Sequence, residues 1–341
     1  MSKRILVLAT RNRGKKREFK LLFNGLPLEI KDFSEFKRIP EFEEEGSTFE
    51  EIAVNILSGT EGQEFRQVFS TEDIQDIRIE PVPIVLVGSQ RSSDRPSSDA
   101  ALNLIHSAYT AGHSDIAEVM VCMFGPTSDE YGFLHKGTRV RKMHSSYRST
   151  FRTIGDIPLA TVKRGEFKPI KENYNQRRND KKVNILPFFE EKVSIVYYYP
   201  NMQPDIIDSL VDNGYKGIVI AGTGLGHVNK PLYPALERAI DKGVHVYMTV
   251  QTLWGYVHMF VYDTGRDLLD IGIIPAENML PEVAYIKLGW ALGQTNDREK
   301  VKELMLTPIN DEITEKEPYN GYLIYQGGVP EVEEFIRKYR K

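Results

Sequence analysis

The chain has a single cysteine, Cys122, and only two tryptophans among its 341 residues. One thiol cannot form an internal disulfide, so packing must hold the fold, and such cysteine usage suits a reducing compartment. A basic excess is also missing. The 44 Lys and Arg stand against 48 Asp and Glu, a formal charge of -4 with no global pull toward nucleic acid. No apolar run nears the roughly 18 residues that a membrane span needs, and the opening residues lack the apolar core of a secretory leader. A cytoplasmic protein with no membrane association is the expectation. Hydrophobic residues make up 41% and charged residues 27%, the balance of an ordinary globular chain, and the length allows two domains with cores of their own.

The stretch 83–101, PIVLVGSQRSSDRPSSDAA, organises the rest. It opens as an unbroken apolar run, breaks at Gly88, passes through serines, arginines and aspartates, and enters a helix near Asp99. A short apolar run bounded by glycine predicts a strand buried on both faces. Strand, polar loop and helix form the repeating unit of an open sheet, whose ligands gather at the carboxyl ends of strands. That loop is therefore a candidate site on position alone; its plain alternative is a hydrogen-bonded turn with a helix cap.

Periodicity extends this picture. Residues 4–10 and 29–33 predict strands, with helical patterns at 16–23 and 48–57. The second opens on a capping box, Thr48 with Glu51. Residues 58–67 are polar and glycine-bearing and mark a junction. Beyond it, a helix is predicted from 97 to 111, a buried strand from 118 to 124, and one or two strands within 129–142. From about 190, strands at 193–199, 217–221 and 244–250 alternate with helices at 203–213, 231–242, 280–292 and 298–306, which indicates a second, smaller α/β domain. The expected division is 1–57, a junction at 58–67, a first sheet domain at 68–190 and a second domain at 191–341. The run 222–227, GTGLGH, lacks the spacing of a dinucleotide-binding loop.

Two resemblances follow from quoted residues. Thr10, Asn12 and Lys15, then Glu45, Gly46, Thr48, Phe49, Glu51 and Ala53, resemble the opening motifs of the inosine triphosphate pyrophosphatase family. The resemblance covers about residues 3–57 and implies a triphosphate held by Thr10, Asn12 and Lys15, with Glu51 helping to hold magnesium. Ile52 stands where that family has asparagine, and its following aspartate loop is not found.

From residue 68 onward the chain resembles the family of archaeal glutamyl-tRNA(Gln) amidotransferase D subunits, relatives of the L-asparaginases. The resemblance rests on 69–74 (FSTEDI), 139–144 (RVRKMH), 214–220, 222–228, 248–253, 261–266, 278–287 and 292–295. It implies an asparaginase-like α/β fold with a larger N-terminal open sheet flanked by helices and a smaller C-terminal α/β domain. It also implies a homodimer, an E-type partner subunit, tRNA, and a glutamine or asparagine amide as substrate, without metal or other cofactor.

The chemistry implied is hydrolysis of a side-chain amide by a threonine, whose hydroxyl needs a partner to take its proton. The family uses two threonines, an aspartate and a lysine. Lys142 matches the lysine; Ser70, Thr71, Glu72 and Asp73 match the loop that binds the substrate's α-carboxylate and α-amino groups; and His227 falls where a neighbouring subunit adds a polar group. The G-G-T-I and G-T-D-T motifs are missing, and the interval that should hold the second is only 75–80. Thr10, ending the first strand, is the candidate replacement nucleophile, and the alternatives are a nucleotide pyrophosphatase or an inactive mosaic scaffold. In a mosaic, residues 4–23 should fill the sheet positions left vacant. Arg91, Arg95, Arg139, Arg141, Arg148 and Arg152 make a locally basic segment that reads either as phosphate-facing or as ion-paired surface. Tyr197–Tyr199 reads as strand packing, Cys122 as buried structure, and His135 with His144 lacks a third metal ligand.

Overall fold

The computed structural model describes residues 4–8, 17, 20–21, 28–32, 82–125, 130–163, 165–178, 186 and 188–326. Two strands come first, β1 (Arg4–Leu8) and β2 (Leu28–Asp32), paired in parallel. Five strands then make the first large sheet: β3 (Ile84–Val87), β4 (Val119–Phe124), β5 (Tyr131–Lys136), β8 (Ala160–Lys163) and β9 (Glu166–Pro169), in the order β3-β4-β5-β8-β9. Only β3 and β4 run parallel; the other neighbours are antiparallel. A separate antiparallel ribbon, β6 (Val140–Lys142) with β7 (Phe151–Thr153), follows a 3-10 turn over Gly137–Arg139.

The helix α1 (Ala100–His113) packs against β3 and β4. Its buried face carries Asn103, Leu104, His106, Ser107, Ala108 and Thr110, at helical spacing but with four of the six polar. Against Leu104 and Ala108 lie Val87 and Ile30 of β2. The β1–β2 pair therefore rests on α1. It does not enter the five-stranded sheet as vacated strands would require; among the described residues it is a sheet of its own.

The second domain alternates strand and helix. Four parallel strands, β10 (Val193–Tyr197), β11 (Gly217–Gly222), β12 (His245–Val250) and β13 (Ile274–Pro275), lie in sequence order. One face is covered by α2 (Asp205–Asp212), α3 (Tyr233–Asp241) and α4 (Asp263–Ile271), through Ile207, Leu236 and Leu268. The other is covered by α5 (Pro281–Gln294) and α6 (Arg298–Leu306), through Leu288, Val301 and Leu304. Both faces are buried, so β11 and β12 read as near-continuous apolar runs. Gly217 admits α5 closely: a Cβ there would lie 2.7 Å from Leu288 Cδ2. The larger first sheet and smaller second domain match the expected architecture.

Several expectations differ in detail. β3 is half-buried at an edge of the described sheet rather than enclosed on both faces. β7, β8 and β9 were not expected, nor was α4, whose sequence mixes charges with Gly265. Among the described residues no helix is long and apolar enough to cross a membrane.

Candidate functional site

Of the residues proposed from sequence, Thr10, Asn12, Lys15, Glu51, Ser70, Thr71, Glu72 and Asp73 lie outside the described residues. Lys142 and His227 lie within them.

Lys142 ends strand β6 opposite Phe151. It is exposed and makes no ion pair among the described residues. Its neighbour Arg141 faces Arg152 across the ribbon, a like-charge pairing that a sheet tolerates only with other partners. Arg141 finds one in Glu282, in the first turn of α5, at 2.7 Å. Tyr197, at the end of β10, donates its hydroxyl to the same carboxylate at 2.9 Å, and burial together with that carboxylate raises its pKa. Arg152 instead donates to the Phe151 carbonyl at 2.9 Å. The strand that carries Lys142 is thus tied across the domain boundary.

Arg139, two residues before Arg141, is fully buried. It donates to the Asn278 carbonyl (2.9 Å), to Asn278 Oδ1 (3.1 Å) and to the Asp311 carbonyl (2.7 Å). Burial lowers its pKa while the surrounding acids oppose that shift. Arg148 lies over the Phe124 ring at 4.6 Å. The basic segment is therefore not one phosphate-facing surface, because two of its arginines are spent inside the molecule or across the domain boundary. Position in sequence marked these residues as basic; the acceptors of Arg139, 139 to 172 residues away, were invisible to local pattern.

His227 closes the turn after β11. The turn needs Gly226, whose φ of +98 lies in the left-handed region. The next residue, Val228, packs into the core. The Nδ1 of His227 lies 3.2 Å from Thr264 Oγ1 and its ring meets Tyr262 edge-on at 5.4 Å, while Nε2 is buried without a hydrogen-bond partner among the described residues. Burial lowers its pKa, favouring the neutral ring. Phe260, Val261 and Tyr262 stand exposed beside it. No hydrogen bond joins His227 to Lys142 among the described residues.

The loop after β3 uses its acid on itself. Asp99 is buried and accepts from the Gln90 and Arg91 amides, each at 3.0 Å, and from Asn103 Nδ2 at 2.8 Å. Its side chain does not cap α1. The loop is a self-closed turn, so its carboxylate is not presented to a ligand. Tyr198 packs against the core, while Tyr197, bound to Glu282, and Tyr199 are both exposed. Cys122 is buried, and burial pushes its thiol up to about 12, so it is structural. His135 is buried with Nδ1 at 2.9 Å from Thr153 Oγ1, whereas exposed His144 accepts at Nδ1 from the Tyr147 amide. Among the described residues no group of three or more His, Cys, Asp or Glu could hold a metal ion.

Sequence reasoning missed Arg139, Asn278, Glu282 and Asp311 as organising residues. Asn278 and Glu282 did lie in one of the runs that carried the resemblance, and Arg139 in another, so the signal was present without its meaning.

Three family models match the chain. "Asparaginase, N-terminal" matches residues 76–175, "Glutaminase/Asparaginase C-terminal domain" matches 192–305, and "Ham1 family" matches 6–68, the region of the pyrophosphatase-like turn. The D subunit of glutamyl-tRNA(Gln) amidotransferase from Thermococcus kodakarensis is 47% identical over 89% of this chain and 67% of its own length. The D subunits from Pyrococcus abyssi and Pyrococcus furiosus are 52% and 54% identical over 71% of this chain and 55% of theirs. The chain spans roughly half to two thirds of the curated relatives it matches. The thermostable L-asparaginase of Thermococcus kodakarensis superposes with a TM-score of 0.68 at 24% identity, covering 91% of this chain and 99% of that one. L-asparaginase I of Vibrio cholerae gives 0.69 at 20% identity, covering 92% of this chain and 100% of that one. These two likenesses establish the fold.

Proposed function

The chain belongs to the asparaginase-like family of glutamyl-tRNA(Gln) amidotransferase D subunits, and from that premise we propose that it is an amidohydrolase subunit releasing ammonia from a glutamine or asparagine amide for transamidation of glutamyl-tRNA(Gln). The observation that carries this reading is the ribbon β6–β7, with Lys142 at its end and its strand tied to the second domain by Arg141 and Glu282. In the proposed reaction the Thr10 hydroxyl attacks the amide carbon and Lys142 serves as its proton-transfer partner. Ammonia leaves, and water then hydrolyses the ester. Ser70 or Thr71, with Glu72 and Asp73, hold the substrate's α-carboxylate and α-amino groups. Lys142 is exposed in one copy, and acid–base work on an amide is favoured where water is excluded. A second copy bringing its His227 face over the ribbon would supply that cover, so a homodimer is part of the proposal, as are an E-type partner subunit and tRNA. No metal is required. The organisation proposed is an N-terminal segment at 1–57, a junction at 58–67 and the two domains at 68–190 and 191–341, working in the cytoplasm.

The test is ammonia release from glutamine and from asparagine by the purified chain, alone and with an E-type subunit. Lys142→Ala should lower the rate by about 100-fold or more; no ammonia above background in either setting overturns the reading. The match to the Ham1 family favours one second reading, hydrolysis of a non-canonical purine triphosphate with magnesium at Thr10, Asn12, Lys15 and Glu51. Pyrophosphate release from inosine triphosphate, abolished by Lys15→Ala, is its readout in the same preparation. A chain silent in both assays is the scaffold.

A further inference from the structure

After α6 the chain stays packed on the second domain through Ile309 and Ile313. It runs along the boundary, and one residue there gathers cations from the first. Asp311 Oδ2 accepts from Lys136 at 2.9 Å and from Lys171 at 3.1 Å, while its carbonyl accepts from Arg139 Nε at 2.7 Å. The neighbouring Asn310 carbonyl accepts from Thr138 at 2.7 Å. The next residue, Glu312, is buried and anchors the other side: Lys287 of α5 lies 2.5 Å from its carboxylate. So adjacent residues hold opposite domains.

Two further observations single out Asp311. Its φ is +54, a left-handed conformation that a residue with a side chain keeps only when its surroundings over-determine it. Its three cations also come from three different places in the first domain: the end of β5, the 3-10 turn before β6, and the segment after β9. Lys136 is 3% exposed and also bound to Glu118 at 3.1 Å, so its position cannot drift without uncovering a buried charge. Arg139 immediately precedes β6, and its carbonyl accepts from Ile154, just beyond β7, at 2.8 Å. The root of the ribbon is held from both ends.

We propose that Asp311 is a clasp between the two domains, a positioning residue that fixes the root of the β6–β7 ribbon and so sets where Lys142 stands. The clasp itself rests on geometry; that Lys142 performs chemistry there rests on the proposed amidohydrolase function. Lys136 and Lys171 each keep a second carboxylate, Glu118 and Asp156, so removing the charge of Asp311 releases the lysines' shared link to the second domain without leaving either unpaired, while the backbone bond from Arg139 remains.

Asp311→Asn tests this. Asparagine tolerates the left-handed backbone and preserves size, so the variant should fold. Asp311→Gly, which suits the backbone and removes the side chain, guards against a new amide contact. In the full chain, amide hydrogen exchange across 138–153 should quicken by about tenfold in both variants, with β11 and β12 unchanged. No change in the ribbon overturns the clasp, and so does equal loss of protection in both domains, which would mean only general destabilisation. Wild-type protein that releases no ammonia yet shows this exchange pattern on substitution removes the proposed function and leaves the clasp standing.

Discussion

Around the five-stranded sheet the interior holds Asn103, His106, Thr110, Glu118, Lys136 and Arg139, all nearly or fully buried. Around the four-stranded sheet it holds Ile218, Ile220, Leu236, Val246, Met248 and Leu288. The second domain gains stability from apolar area removed from water, which is non-directional and tolerant of neighbours. The first buries more charged and polar side chains, each of which costs free energy unless a partner is found. Their satisfaction runs outward, from Glu118 to Lys136 to Asp311 and from Arg139 to Asn278, into the other domain. The contrast is one of degree, since the first domain also buries Ile116, Met120 and Leu134 and the second buries the Lys287–Glu312 pair. The chain after α6 runs along the boundary between the domains, where Asp311 faces the first domain's lysines and Glu312 the second domain's Lys287.

Breaking the polar side should have the largest effect. Glu118→Ala leaves Lys136 buried with only the half-exposed Asp311, and should cost about 3–5 kcal/mol in urea unfolding, whereas Glu118→Gln should cost less. On the apolar side, Leu288→Ala opens a cavity where α5 meets Gly217 and should cost about 3 kcal/mol. If Glu118→Ala proves milder than Leu288→Ala, the contrast between the two domains collapses. The smallest effect is acid-linked. Burial lowers the pKa of His135 from 6.5 to about 3, so between those values the unfolded chain binds a proton that the fold does not. Stability then rises with pH in that window and is lost as pH falls below 6.5. Replacing this imidazole by His135→Gln should remove about 1 kcal/mol of that loss over the first pH unit, read from unfolding curves at two pH values. His245 in the second domain is shifted in the same direction, to about 4, so a residual slope should remain in that variant.

Of the elements from β10 to α6, all but α4 and the two-residue β13 were legible because each buries an apolar face of regular period, and α6 falls where the pattern placed it, at Arg298–Leu306. Strands β7 to β9 were not legible, since they are three or four residues long and carry charges within those few positions. Lys142 and His227 were named from the sequence, but only the fold shows one exposed at a ribbon's end and the other against Thr264 and Tyr262. Arg139 was placed in a basic segment; the fold buries it.

By itself the sequence determined family, the two-domain α/β plan and the missing threonine motifs, because these are carried by runs of residue identity and by local period. Tertiary structure alone decided which charges face solvent and which bind the domains together. The partners of Arg139 and Lys136 lie far along the chain, and only folding brings a cation to an acceptor and removes the water that would otherwise take its place.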